Sequence, residues 1–189
     1  MTNEEYESYR RQQIADGDAW ADFAREQMAK LGMLFANNVS YMRQIEEGEN
    51  AAGVEFKYQK QMERTGNLWI EVKEKARPRS GKYAISGIYR GDNSWLLVTG
   101  DYRVIFVFAV RDLRRVAEAA RQIENRTKTS VGFLLSAVRA RELCLHVVEQ
   151  QPSGKWMSVA RHETDTTNNI LRRLDERFIR QPNLPGFKT

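Results

Sequence analysis

The sequence predicts an α/β (α+β) fold in which a mixed central sheet is flanked by helices. The chain has 189 residues, of which 41% are hydrophobic and 10% aromatic, enough for one domain with a buried core. Short segments that alternate apolar and polar residues predict strands, and longer segments with apolar residues three and four positions apart predict helices. The sequence contains no internal repeat and no low-complexity tract, so a single domain is expected over residues 1–189.

The first forty residues predict two helices. Residues 2–14 predict a polar helix, and Gly17 is expected to break it, which makes 1–17 a peripheral N-terminal element. Asp18 is a suitable N-cap for a second helix, which Gly32 is expected to end. The inward positions of this second helix are Trp20, Phe23, Ala24, Gln27, Met28 and Leu31.

The later part of the chain predicts alternating strands and helices. Strands are expected over 95–98, 103–109 and 143–148, the last of them being the final strand. Helices are expected over 112–125, 136–141 and 167–180, and an extended, proline-containing tail over 181–189.

Composition narrows the class of protein. The longest apolar run, Val104–Val110, is too short to cross a bilayer, and the acidic N-terminus does not resemble a secretory signal. A lone cysteine, Cys144, fits a reducing cytosol, so a cytoplasmic location is expected. One cysteine and two histidines, His146 and His162, do not suffice for a structural zinc site.

Charge gives a weak indication of the partner. The net charge of +5 favours an anionic partner such as nucleic acid, although many basic proteins bind none. Positive residues are concentrated in 73–82, 111–115 and 172–180. Phosphate contact is expected where these clusters flank a catalytic site.

Two neighbouring segments, Gly53–Tyr58 and Gly66–Lys73, predict half-buried strands and carry the functional argument. Their apolar positions are Val54, Phe56 and Tyr58 on the first and Leu68, Ile70 and Val72 on the second. The opposite positions are Glu55, Lys57 and Gln59 on the first and Trp69, Glu71 and Lys73 on the second. If the strands pair over one core, then Glu55, Glu71 and Lys73 meet on the other face.

Two carboxylates and an ammonium at one place suit the hydrolysis of a phosphodiester. Glu55 and Glu71 repel each other unless a cation lies between them, and Mg²⁺ (or Mn²⁺) prefers such oxygen ligands. The Lys73 ammonium is suited to orient the attacking water or to stabilise charge on the phosphate. Trp69 is either packed or available to stack on a base.

These residues resemble the PD-(D/E)XK nuclease superfamily, in which an acid on one strand precedes a Glu-x-Lys on the next. Glu71-Val72-Lys73 matches the Glu-x-Lys element, and Glu55 stands for the first acid. The surrounding residues 53–71 look like a branch of small phage and bacterial proteins in that superfamily. The resemblance covers roughly residues 20–140 and implies a restriction-endonuclease-like core, magnesium and action on DNA in a bacterial or phage-infected cell.

The chain also departs from that pattern. Relatives of this kind often carry an Asp just past the first strand, where this chain has Gln59, so Glu55 must substitute for it if the site is active. The superfamily usually adds an acid from upstream, for which Glu26 and Glu49 are both open candidates. The residues expected to contact nucleic acid are Lys57, Lys75, Arg77, Arg79 and Lys82.

Three functional hypotheses follow. The first is a magnesium-dependent nuclease that cuts DNA, in which structure-selective cutting is conceivable and cutting of both strands favours a homodimer. The second is a nuclease-like fold that no longer cuts and that binds nucleic acid or a protein partner as a regulator or inhibitor. The third is an interaction protein in which the carboxylates have no catalytic role.

Overall fold

The computed structural model describes residues 3–35, 53–75 and 81–160, and for residues 3–6 the backbone alone. In this part of the chain the fold is mixed α and β, as the sequence predicts. It contains a five-stranded mixed sheet, a four-stranded antiparallel sheet and several helices. The chain divides into two compact units that each draw on several stretches of sequence.

The helices and strands have the following bounds. The helices are α1 (Asn3–Lys30), α2 (Met62–Thr65), α3 (Val110–Ala119) and α4 (Ala137–Leu143), with a 3₁₀ helix at Gly87–Tyr89. The strands are β1 (Val54–Tyr58), β2 (Asn67–Glu74), β3 (Ala84–Ile85), β4 (Leu96–Gly100), β5 (Val104–Ala109), β6 (Ile123–Glu124), β7 (Ser130–Ser136), β8 (His146–Gln150) and β9 (Trp156–Ala160).

Unit 1 is built on the five-stranded sheet, whose strand order is β1-β4-β5-β8-β9. Strand β1 runs parallel to β4, with Val54 opposite Leu96, and the other neighbours are antiparallel. All five residues of β4 are buried. Such a strand needs partners along both edges and side chains over both faces, which explains its position between β1 and β5.

Helix α1 packs on one face of this sheet. Its buried side chains Trp20, Ala24 and Met28 form one core cluster with residues of the sheet, and Phe56 and Tyr58 pack against the same cluster. The Trp20 ring stacks on the Tyr58 ring at a centroid distance of 5.9 Å. The prediction that alternate residues of β1 face a core is therefore confirmed.

The predicted break of the first helix at Gly17 is wrong, because α1 is continuous from Asn3 to Lys30. A glycine inside a helix costs about 1 kcal/mol relative to alanine, which tertiary contacts readily offset. The side chain of Asp16 accepts hydrogen bonds from Gln12 and from Lys60, both at 2.7 Å, and Trp20 is fully buried one turn later. These contacts on both sides of Gly17 keep the helix intact.

Strands β1 and β2 do not pair with each other, contrary to the geometry assumed from the sequence. Strand β1 pairs with β4 in the five-stranded sheet, whereas β2 lies between β3 and β7 in the four-stranded sheet. The connection between them is not a hairpin turn, because it contains α2, which ends at Gly66 in the left-handed region with φ 66°. Most of β2 belongs to unit 2, together with β3, β6 and α3.

The later elements match the sequence in part. Helix α4 is confirmed, and the Ser136 hydroxyl caps it by accepting a hydrogen bond from the Arg139 amide at 3.3 Å. The helix expected over 112–125 ends at Ala119, because Ile123 and Glu124 instead pair with β7 as strand β6. Strand β8 is not the last strand, since it is followed by β9.

Some predictions lie outside the described residues. They are the helix over 167–180, the tail over 181–189 and the basic residues between positions 76 and 80. Among the residues that the structure does describe, no helix has the length and apolar character required to span a membrane.

Candidate functional site on strand β2

Strand β2 presents its polar residues on one side and its apolar residues on the other, as the sequence predicts. Leu68, Ile70 and Val72 are at most 2% exposed, whereas Lys73 is exposed. Trp69 and Glu71 are half-buried. The Glu-x-Lys element therefore lies on a regular strand with both charged side chains on the side away from the buried residues.

The Glu71 carboxylate is held in place by the segment that follows β3. The buried Ser86 hydroxyl donates a hydrogen bond to Glu71 Oε1 at 3.0 Å, and the Ser86 amide donates to the Val72 carbonyl at 3.2 Å. A Cβ at Gly87, which has φ 54°, would lie only 2.2 Å from the Glu71 carbonyl oxygen. The close approach of this segment to β2 thus requires a glycine at position 87.

A second group of polar side chains lies beyond the end of β2. The Lys75 ammonium lies over the Tyr83 ring, 4.7 Å from its centroid, and the Tyr83 hydroxyl donates to Glu124 Oε1 at 2.7 Å. Burial raises the pKa of Tyr83, and the hydrogen bond to Glu124 raises it further. Tyr83 therefore stays protonated and links the start of β3 to β6.

Trp69 packs closely against β7. A Cβ at Gly132 would lie 2.9 Å from both Cε2 and Cζ2 of the Trp69 indole and 2.3 Å from the Ile70 carbonyl oxygen. Only a glycine at position 132 allows the indole and the strand backbone to come this close. The packing of Trp69 thus has a specific partner, and the residue as a whole is half-buried.

Glu55 and Lys57 lie on β1 in unit 1, on the face of the sheet opposite α1. Glu55 is half-buried opposite Leu97, and Lys57 is half-buried opposite Thr99. Glu55 therefore belongs to a different unit from Glu71 and Lys73. A metal site shared by Glu55 and Glu71 stays a prediction from the sequence.

Gln59 has a structural role at the end of β1. It is 6% exposed, and its side-chain amide donates to the Thr99 hydroxyl at 3.0 Å. The Thr99 hydroxyl in turn donates to the Lys57 carbonyl at 2.7 Å. A carboxylate at position 59 has no proton to donate to Thr99, so this bond is specific to the amide.

The remaining predicted site residues lie in varied surroundings. Glu26 is on α1, where its carboxylate forms an exposed ion pair with Lys30 at 2.7 Å. Lys82 is exposed just before β3, and Glu49, Arg77 and Arg79 lie outside the described residues. Within the described ranges, no three His, Cys, Asp or Glu side chains are arranged to hold a metal ion.

The two units differ in charge. Counting only the described residues, unit 2 has ten Lys and Arg against five Asp and Glu, a net charge of +5. On the same basis, unit 1 has eleven Lys and Arg against thirteen Asp and Glu, a net charge of −2. The positive charge is therefore concentrated in the unit that carries Glu71 and Lys73.

Sequence reasoning missed the residues that position Glu71. Ser86 and Gly87 follow a strand of only two residues, and the sequence around them has no periodic pattern that marks either one. Strand β7 was also missed, although Gly132 within it determines the packing of Trp69.

Comparison with protein-family models, curated proteins and solved structures found no match to this chain.

Proposed function

We propose that this protein is a magnesium-dependent nuclease that hydrolyses phosphodiester bonds in DNA. The observation that carries the proposal is the pairing of an oriented carboxylate with an exposed amine on one strand. Glu71 is fixed by the Ser86 hydroxyl at 3.0 Å, and Lys73 projects two residues further along the same side of β2. The net charge of +5 in the described part of unit 2 supports a polyanionic substrate.

The residues fit a hard divalent cation. The Glu71 carboxylate offers oxygen ligands, and its bond to Ser86 orients it as outer hydrogen bonds orient metal ligands in other proteins. The sequence also predicts Glu55 as a ligand, but this residue belongs to the other unit. Mg²⁺ held there would lower the pKa of a coordinated water and offset negative charge on the phosphate. Lys73 positions the water or a phosphate oxygen, and Ser86 keeps Glu71 in one rotamer.

The proposal predicts which side chains are needed for cleavage. Glu71→Gln and Lys73→Ala are each expected to reduce Mg²⁺-dependent nicking of supercoiled plasmid by about 100-fold or more, because each removes a charge that acts on the transition state. Glu55→Gln tests separately the prediction from the sequence that Glu55 holds metal, under which a similar loss of nicking is expected. The measurement is the initial rate of nicking by gel electrophoresis.

The chain offers a matched control. Glu74 is exposed on the same strand, and Glu74→Gln changes the net charge by the same amount as Glu71→Gln. The Glu74 variant is expected to cut at close to the wild-type rate. Equal losses in the two variants, or nicking that survives Glu71→Gln, would contradict the role given to Glu71.

A second candidate function is favoured by Gln59. Its neutral amide is buried and already bonded to Thr99, where relatives often carry a metal-binding Asp. This observation favours a nuclease-like protein that binds nucleic acid or a protein partner without cutting. Salt-sensitive DNA binding with no cleavage of plasmid, branched DNA, single strands or RNA in Mg²⁺ or Mn²⁺ would support this second function.

A further inference from the structure

The four-stranded sheet has one face, here called the outer face, that combines apolar and charged side chains. It comprises Trp69, Glu71, Lys73, Ile85, Gly132 and Leu134. The first three alternate with the buried residues of β2, and Ile85 lies directly opposite Lys73 in the sheet. Gly132 belongs to it because Trp69 lies over it, and Leu134 is two residues further along β7.

Two apolar side chains of the outer face are exposed to solvent, and a third is half-buried. Ile85 is 68% exposed and Leu134 is 45% exposed, and Trp69 is half-buried. The Trp69 ring lies close against Gly132, so the indole is packed on the side that faces β7. A half-buried aromatic residue that is already packed on one side loses little conformational entropy when a flat ligand stacks on it.

Charge identifies the kind of ligand. Lys73 lies on the outer face, Lys75 and Lys82 are close to it in sequence, and the described part of unit 2 carries a net charge of +5. A flat apolar group attached to negative charge matches this combination. A nucleotide has both parts, because its base stacks on aromatic rings and its phosphate attracts ammonium groups.

We propose that the outer face binds unpaired nucleotides of single-stranded DNA, with a base stacked on Trp69 and its phosphates near Lys73. The proposal rests on the proposed function, since Glu71 and Lys73 lie on the same face, and it specifies the substrate as single-stranded or locally unpaired DNA. Bases in a duplex are already stacked and paired, so they are not available to the Trp69 ring.

The test measures binding without cleavage. Fluorescence anisotropy of a labelled oligothymidylate, in EDTA, is compared with that of a matched duplex for the full chain and its variants. Trp69→Ala is expected to weaken binding of the single strand about tenfold, and Trp69→Phe is expected to retain most of the affinity. Circular dichroism and thermal unfolding check that the variants fold.

Trp95 provides the matched control. It is 59% exposed and also lies over a glycine, since a Cβ at Gly53 would be 2.4 Å from its Cδ1, but it belongs to unit 1. Trp95→Ala is expected to leave the affinity for the single strand unchanged. An equal loss in the Trp95 and Trp69 variants would overturn the proposal.

Photo-crosslinking tests the wild-type protein and so does not depend on the folding of a variant. An oligonucleotide containing 5-iododeoxyuridine is irradiated with the protein, and crosslinked peptides are identified by mass spectrometry. Attachment at Trp69 is expected, whereas crosslinks confined to other positions, or equal affinity for single strand and duplex, would overturn the proposal. EDTA prevents metal-dependent cleavage, so the binding test is independent of the cleavage test. A failure to nick plasmid contradicts only the nuclease proposal. Binding that does not depend on Trp69, in a protein that cuts DNA, contradicts only the proposal that a base stacks on Trp69.

Discussion

At Glu71 a hydrogen bond to the carboxylate and a close approach by a glycine both restrict the residue. The Ser86 hydroxyl bonds to Oε1, and Gly87 brings its own backbone against the Glu71 backbone. Neither contact contributes chemistry directly. Both reduce the number of positions open to the carboxylate, which is what a metal ligand or a catalytic acid requires.

Gly87→Ala is expected to destabilise the protein by about 2 kcal/mol or more. The new Cβ would lie 2.2 Å from the Glu71 carbonyl oxygen, and a φ of 54° is unfavourable for any residue with a side chain. The measurement is urea unfolding followed by circular dichroism. Gly91→Ala is the control, because a Cβ there has open space, and an equal change in both variants would contradict the argument.

Gln59 illustrates what can be learned about one residue from sequence. Its position after β1 is evident from the alternating pattern. Its role is not evident, because its hydrogen-bond partner Thr99 is forty residues away along the chain. A buried amide is needed where it satisfies another buried polar group, and only the tertiary structure brings Thr99 to it.

Among the elements, α1 shows how contacts outside a helix override local propensity. The Asp16 carboxylate accepts a hydrogen bond from Lys60 on the segment between β1 and α2, at 2.7 Å. The bond to Lys60, and then the bond to Gln12, lower the pKa of Asp16. The same bond to Asp16 raises the pKa of Lys60.

The contribution of the Asp16–Lys60 ion pair to the stability of the protein is expected to depend on pH. A lowered folded-state pKa for Asp16 means that its contribution is present above the unfolded-state pKa, about 3.8, and is lost as pH falls through the folded value. A raised folded-state pKa for Lys60 means that its contribution is present below about 10.5 and is lost as pH rises through the folded value.

Asp16→Asn is therefore expected to lower Tm slightly at pH 7 and to have no effect at a pH well below 3.8. Calorimetry at the two pH values measures the change. Lys60→Gln is the matched variant, and the double variant at pH 7 is expected to lose no more than either single one. Additive losses, or a difference that persists in acid, would contradict the pairing.

The types of the elements could largely be predicted from sequence, but their pairing and some of their ends could not. The alternation of Leu68, Ile70 and Val72 indicates a strand whichever neighbour it has. Nothing in that alternation indicates that β2 pairs with β3 and β7 rather than with β1. The end of α3 was misplaced for a similar reason, because Ile123 continues the helical spacing but pairs with Gly132 of β7.

For the whole molecule, the uneven distribution of charge between the two units predicts salt-sensitive DNA binding. The described part of unit 2 carries +5 and that of unit 1 carries −2, so phosphate contacts are expected to come mainly from unit 2. Raising NaCl from about 50 to about 200 mM is expected to weaken binding at least about tenfold, as counterions compete for the phosphates.

The measurement is anisotropy of labelled DNA across a series of salt concentrations. Lys73→Ala and Lys82→Ala are each expected to reduce the slope of log K against log salt by about one. Lys155→Ala, which removes an exposed lysine of unit 1, is the control and is expected to leave the slope unchanged. A slope near zero for the wild-type protein would contradict binding through phosphate contacts.

The candidate site could be predicted in part. The alternation of β2 places Glu71 and Lys73 on one side, and the structure confirms this placement. The sequence does not indicate Ser86, Ile85 or Leu134, because each is brought to Glu71 or to the outer face by the pairing of β2 with its neighbours. The alternation of side chains between the two faces of a strand is a local property of the sequence, whereas the neighbours of that strand in the sheet depend on the whole chain.

The connectivity of the two units has a practical consequence for dissecting the protein. The described chain passes from one unit to the other after Leu68, Arg90, Val110 and Leu134. No single cut therefore separates the two units, and neither unit corresponds to a contiguous fragment that can be cloned separately. Assigning activities to each unit thus calls for substitutions in the intact polypeptide rather than for terminal truncations.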